Sequence, residues 1–159
     1  MRIAIVHDWL TEGGGAEQVL RELLREFPEA DLFALIDHLP DAERSLLLHG
    51  RRARTTFIQR LPFARTHHRW YLPLFPRAIQ RLDLRAYDLV LSASYAVAKG
   101  ARKRPGAKHL CYIHTPMRYA WVDPAAYLAD HGIRGPLAAL VRAQLARLRA
   151  WDLRTNAGI

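Results

Sequence analysis

The chain opens on a short apolar run, Ile3-Ala4-Ile5-Val6, that ends in His7-Asp8 and is followed within a few residues by Gly13-Gly14-Gly15. Behind the glycines, Ala16, Val19, Leu20, Leu23, Leu24 and Phe27 recur at the spacing of one helical face. An apolar run without polar alternation, too short to span a membrane, has the pattern of a parallel strand covered on both faces. Strand, glycine turn and helix make the first half of a βαβ unit. This feature predicts an open α/β sheet that binds its ligand at the carboxyl ends of its strands. There, helix N-termini present N–H groups and a dipole suited to an anion, most often a phosphate.

The glycines alone do not name a ligand. No Gly-Lys-Ser/Thr follows them, so the turn is not a Walker A loop, and Gln18 stands where the third glycine of G-x-G-x-x-G belongs. The plain alternative is a βα turn that closes the strand and binds nothing.

With 159 residues, half of them apolar, the chain can build one domain with a real core. It has no stretch of about twenty apolar residues and no signal-peptide pattern at its start. Its single cysteine, Cys111, cannot form an internal disulfide, which fits a reducing, cytoplasmic setting. The net charge of +9 favours a polyanionic partner. No helix-turn-helix, zinc-finger or RNP pattern is present, so no nucleic-acid partner is expected.

In chain order, 31–37 reads as a second buried strand. Asp37, a little over twenty residues past the glycines, stands where a dinucleotide-binding fold would hold an adenine ribose. The preferred alternative is a strand exit followed by a helix over 41–48 capped by Asp41. Residues 51–58 form a plausible edge strand. Between Arg60 and Arg81, Phe63, Trp70, Tyr71, Leu72, Leu74 and Phe75 mix with arginines and histidines, and Pro62, Pro73 and Pro76 divide the segment. Arg60, Arg65, Arg69 and Trp70 would suit a membrane interface, with rings at headgroup depth and guanidinium groups towards phosphates. The competing expectation packs the aromatics on the sheet and leaves the arginines solvated.

Residues 87–94 form a buried strand ending in serines, and 95–100 a short helix. Residues 108–113 form another strand, stopped at His114-Thr115-Pro116. Three strands therefore finish in polar groups: His7-Asp8, Ser92 to Ser94, and His114-Thr115. In a sheet of order 3-2-1-4-5 those ends lie side by side at the topological switch point. A neutral His114 there could orient sugar hydroxyls or steady charge near a leaving phosphate; the alternative is a ring satisfied by a backbone carbonyl. No Cys/His cluster has metal spacing and no nucleophile elbow occurs. After a short helix or loop at 117–121 and a helix from Asp123-Pro124, a long helix runs from Gly135-Pro136. Leu137, Leu140, Val141, Leu145, Leu148 and Trp151 mark its apolar stripe, and 155–159 reads as its exit towards a strand.

Four blocks together carry a family resemblance: His7-Asp8-Trp9 with Gly13-Gly14-Gly15-Ala16-Glu17, then 87–94, then the run from Tyr112 to Trp121, and last Trp151-Asp152. They resemble glycosyltransferase family 4, and most of all its mannosyltransferase-like members that build bacterial surface polysaccharides. The resemblance implies a GT-B fold and transfer from a nucleotide-sugar, possessing no metal requirement, with retention of configuration. Residues 1–159 would be a single Rossmann-like parallel sheet flanked by helices, the N-terminal, acceptor-side half. Gly13, Gly14 and Gly15 would lie near the donor diphosphate, His114 would contact the transferred sugar as the catalytic group, and Asp8 and Ser94 would be crevice neighbours. A lipid-linked or polysaccharide acceptor would give the basic, aromatic segment its purpose, at the inner face of the membrane.

The family's paired-glutamate motif belongs to a C-terminal nucleotide-sugar domain, and no glutamate follows Glu43 here. The expectation is therefore a truncated piece, a fragmentary gene or one half of a split enzyme, inactive without its complementary half. Two other classes compete: an NAD-binding oxidoreductase domain using Gly13 to Gly15 and Asp37, and a non-catalytic module held to acidic membranes by the arginines of 51–77. An unfinished sheet would also be prone to self-association.

Overall fold

The computed structural model describes residues 1–130 and 132–159. Five strands, β1 (Ile3–His7), β2 (Asp31–Ala34), β3 (Arg54–Thr55), β4 (Leu89–Ser94) and β5 (Lys108–Ile113), form one sheet in the order β3-β2-β1-β4-β5. Every pairing is parallel. This is the Rossmann-like α/β arrangement and the strand order expected from the sequence. β1 and β4 lie at the centre and are covered on both faces, which is why their residues run apolar without alternation.

One face carries α1 (Gly15–Glu26) and α2 (Asp41–Leu48). Leu20 and Leu24 of α1 and Leu47 and Leu48 of α2 pack there on Ile5, Leu32, Leu89 and Leu91. The opposite face receives Val6, Phe33 and Val90 from the sheet. It is covered by a run of short elements: a 3-10 turn at Phe57–Arg60, α3 (Ala64–His67), a 3-10 stretch at His68–Leu74 and α4 (Phe75–Ile79). After β5 come α5 (Arg118–Trp121), α6 (Pro124–Asp130), the long α7 (Gly135–Thr155) and a final 3-10 turn at Asn156–Gly158. Leu145 and Leu148 of α7 complete that second core.

Several expectations change, each for a local reason. Pro40, not Asp41, is the N-cap of α2, and no side chain caps it. Asp41 lies in the first turn, where its carboxylate pairs with Arg52 at 3.1 Å. The edge strand expected over 51–58 shrinks to Arg54–Thr55. The Thr56 hydroxyl donates to Leu35 O at 2.8 Å and accepts from Ile58 N, which turns the chain out of the sheet. The short helix expected over 95–100 is only a 3-10 turn at Ala98–Gly100, because the N–H groups before it are drawn onto Asp8. Residues 156–158 are a 3-10 turn rather than the approach to a strand.

The stripe of α7 also differs: Ala138, Leu145, Leu148 and Asp152 are buried, whereas Leu137 and Leu140 project to solvent. On β5, Leu110 and Tyr112 stand exposed beyond the cover of α1. Where α7 crosses the β4–β5 connection, its approach depends on a missing side chain. A Cβ on Gly100 would lie 2.3 Å from the Trp151 ring, so Gly100→Ala is expected to lower the melting temperature by displacing α7. An unchanged melting curve would show that the indole swings aside freely.

Two buried histidines set an acid limit on this fold. His68, stacked on Trp9 with ring centroids 5.2 Å apart, and His109, whose Nε2 lies 2.9 Å from Ser92 Oγ, are each pushed down to about 4 by burial. An unfolded histidine titrates at 6.5. The unfolded chain therefore binds more protons between these values, and stability is lost as pH falls from about 6.5 towards 4, by an amount on the order of 2 kcal/mol per ring. Urea midpoints should fall between about pH 7.5 and about pH 5. A midpoint that rises over that interval contradicts the assignment.

Candidate functional site

The carboxyl ends of β1, β4 and β5 meet at the place where the connections reverse direction across the sheet. At its base lies Asp8. Its carboxylate accepts four successive backbone N–H groups: Tyr95 at 2.7 Å and Ala96 at 2.9 Å on Oδ2, Val97 at 2.6 Å and Ala98 at 2.7 Å on Oδ1. Such a row of N–H groups is an anion-binding nest, and here the chain fills it with its own carboxylate. Asp8 is wholly buried. Asp8, expected as a crevice neighbour, lies at the crevice base with both oxygens committed, and it fixes the backbone of 95–98.

Above Asp8, on the α1 face, sits a hydrogen-bonded pair. His7 lies with Nδ1 3.1 Å from Ala93 O and Nε2 3.1 Å from Glu17 Oε1. A carbonyl can only accept, so Nδ1 is the donor to Ala93 O. Burial pushes the Glu17 carboxyl up, but the hydrogen bond and charge of His7, with the N–H groups of Glu17 and Gly14, outweigh it and bring it below its usual range. The pair is buried at the start of α1.

The glycine turn is tighter than a bare cradle. Gly13 N donates to Glu43 Oε2 at 2.6 Å, and a Cβ on Gly13 would lie 2.9 Å from both Glu43 and Leu47 of α2. A side chain at Gly13 would have to push aside the ends of Glu43 and Leu47. Gly14 is the N-cap of α1 in an extended conformation, and its N–H faces Glu17. Gly15 has open space around its Cα. A phosphate arriving at this turn would have to replace Glu43, which is only half-buried, while Glu17 remains.

His114 joins this group. Its backbone N–H donates to Ser94 O at 2.9 Å, continuing the β4–β5 ladder. Its ring lies against Tyr95 and Tyr112, with centroids 6.1 and 4.9 Å away, and Nε2 is buried with no hydrogen-bond partner among the described residues. Burial and the neighbouring His7 charge hold its pKa below the ordinary imidazole value, so the ring is neutral at pH 7. A neutral ring with one unengaged nitrogen can give or take one hydrogen bond.

Ser94 does not join it. Alternation along β4 places Ser94 on the opposite face, in a cavity of about 380 Å³ with Lys99, Met117, Trp121 and Asp152. There Lys99 Nζ and Asp152 Oδ1 form a buried ion pair at 3.0 Å, and Trp121 Nε1 donates to Asp152 Oδ2 at 3.1 Å. Asp37 is also committed: its carboxylate accepts from the Arg44 guanidinium at 2.7 and 2.8 Å and from Ala53 N at 2.9 Å, with both side chains buried. It therefore offers little to a ribose. Cys111 is raised by burial and is not an activated thiol.

Arg60, Arg65, Arg69 and Trp70 lie on the opposite face from α1 and are exposed. A row of rings, His68 on Trp9 and Trp9 on Tyr95 at 4.8 Å, connects them to the crevice, and the charge of Arg69 acts on Tyr95.

Three features had no role assigned from the sequence: Glu17, Tyr95 and, on the opposite face, the Lys99–Asp152 pair. Only Glu17 had a signal, since it stands three residues after the N-cap Gly14, the spacing at which a glutamate reaches back to the cap N–H. Among the described residues, no group of three or more His, Cys, Asp and Glu is placed to hold a metal, and no helix is long and apolar enough to cross a membrane. Comparison with family models, with curated proteins and with solved structures gave no match.

Two outcomes follow. An NMR titration of the His114 ring should give a midpoint below 6.5; a midpoint above it would mean that the ring is solvated or paired with a carboxylate. Asp8→Asn should cost about 3 kcal/mol or more, because an amide cannot accept four N–H groups and leaves buried donors unpaired. A loss under about 1 kcal/mol would show that water replaces the carboxylate.

Proposed function

We propose that this chain is the acceptor-side domain of a retaining glycosyltransferase that moves a hexose, with mannose the favoured sugar, from a nucleotide-sugar to a lipid-linked or polysaccharide acceptor. Its place is the cytoplasmic face of a membrane. The observation that carries the reading is the meeting of a neutral, unengaged His114 with the glycine turn and the His7–Glu17 pair at the switch point of a parallel sheet. In this reading His114 hydrogen-bonds the transferred sugar. The N–H groups of the glycine turn, once Glu43 is displaced, receive the diphosphate and favour the anion that departs. A complementary nucleotide-sugar-binding half completes the site, and neither metal nor other cofactor takes part.

The NAD-binding alternative is weakened by the engagement of Asp37 with Arg44 and Ala53. Amide NMR of the labelled chain, titrated separately with GDP- and UDP-sugars and with NAD, separates the two. Saturable shifts at Gly13 to Gly15 and His114 with a nucleotide-sugar are expected. Saturable shifts with NAD that include Asp37 would overturn the proposal.

A further inference from the structure

The connection from β4 to β5 carries Arg102-Lys103-Arg104 in succession, a basic run that the crevice does not use. Arg104 is engaged with Asp88. Arg102 and Lys103 instead border a cavity of about 380 Å³ on the face of the sheet opposite α1, and Arg154 in the last turn of α7 borders it from the other side. Gly100 and the Trp151 ring that packs on it form an apolar wall, and Gln80 adds an amide.

The charge in this cavity has no counter-charge. None of the lining residues is acidic. Among the described residues no carboxylate, side-chain or terminal, pairs with Arg102, Lys103 or Arg154. The acids nearby are committed: Asp83 to Arg85 at 2.8 Å, Asp88 to Arg104, and Asp152 to Lys99 at 3.0 Å. Lys99, a fourth cation on the lining, is thereby neutralised, and its Nζ also donates to Asn156 Oδ1 at 2.8 Å. Lys103 is half-buried, and after burial its charge is the further cause that pushes His109 down to about 4. The carbonyl end of α7 brings roughly half a negative charge, too little to balance three whole positive ones. Like charges held around one hollow repel each other, and a bound anion relieves that repulsion.

A second observation points the same way. Trp151 Nε1 is buried with no hydrogen-bond partner among the described residues. A buried donor left unpaired costs about 1–3 kcal/mol, and an oxyanion in the cavity would supply the acceptor that this N–H lacks.

We propose that this cavity binds a small phosphorylated molecule, with the phosphate held by Arg102, Lys103 and Arg154 and the organic part laid against Gly100 and the Trp151 ring. Three cations match a group of about two negative charges, which a phosphate monoester carries near pH 7 and a carboxylate does not. Forked guanidinium donors suit its oxygens, and the volume is that of a small-molecule pocket, about 300–1,000 Å³. The glycine turn lies on the other face of the sheet, so this site is independent of the sugar-transfer reading.

Amide and indole NMR of the full chain tests this, with glucose 1-phosphate as the probe and sodium chloride at matched ionic strength as the control. The Trp151 indole N–H and the amides of Arg102 and Lys103 should shift saturably with the sugar phosphate and stay in place with the salt. Arg102→Glu/Arg154→Glu should weaken this binding about tenfold or more. Its melting temperature should be unchanged, because both side chains are exposed. The proposal is overturned if those resonances do not shift, if sodium chloride moves them equally, if the only saturable shifts lie at Gly13 to Gly15, or if the double variant binds as tightly as the native chain.

Discussion

One carboxylate organises the working end of this protein. Asp8 closes β1, and by taking four consecutive N–H groups from the segment after β4 it ties the two central strands together where they leave the sheet. Those N–H groups would otherwise be buried without partners, and a buried carboxylate would otherwise be uncompensated; each removes the other's penalty. The consequence is positional. Tyr95 is fixed beside His7 and His114, and the exit of β5 is set by the ladder from Ser94. A change at Asp8 is therefore felt at every other group of the crevice.

Acidic side chains occupy the N–H groups that anions would use at three points: Asp8 at 95–98, Glu43 at Gly13, and Glu17 at Gly14. They differ in exposure. Asp8 is wholly buried and Glu17 is held by His7, whereas Glu43 is half-buried on a short helix.

The parallel sheet, its strand order and its buried centre were legible in the sequence, because two-faced burial imposes unbroken apolar runs on β1 and β4 and glycines mark the turn. What stayed hidden depends on pairing between distant residues. Nothing local in Asp8 or Asp37 announces that one will be consumed by backbone N–H groups and the other by Arg44. The face on which Ser94 lies follows from register with β5, not from its closeness in sequence to the strand end. Helical spacing placed Leu137 and Leu140 in the core because periodicity reports which residues share a face, not how far along the helix the neighbouring layer extends. The grouping of His7 and His114, by contrast, was foreseeable once three strands ended in polar residues.

The central claim is that His114 serves sugar transfer and not the fold. The direct measurement is the turnover of a lipid-linked acceptor by the enzyme carrying this chain, with native His114 and with His114→Ala, read beside the melting temperature of each. A half-buried ring with an unengaged nitrogen contributes little to stability. The account predicts a fall of about 100-fold or more in turnover with the melting temperature nearly unchanged. Undiminished turnover, or a loss that merely tracks unfolding, would contradict it.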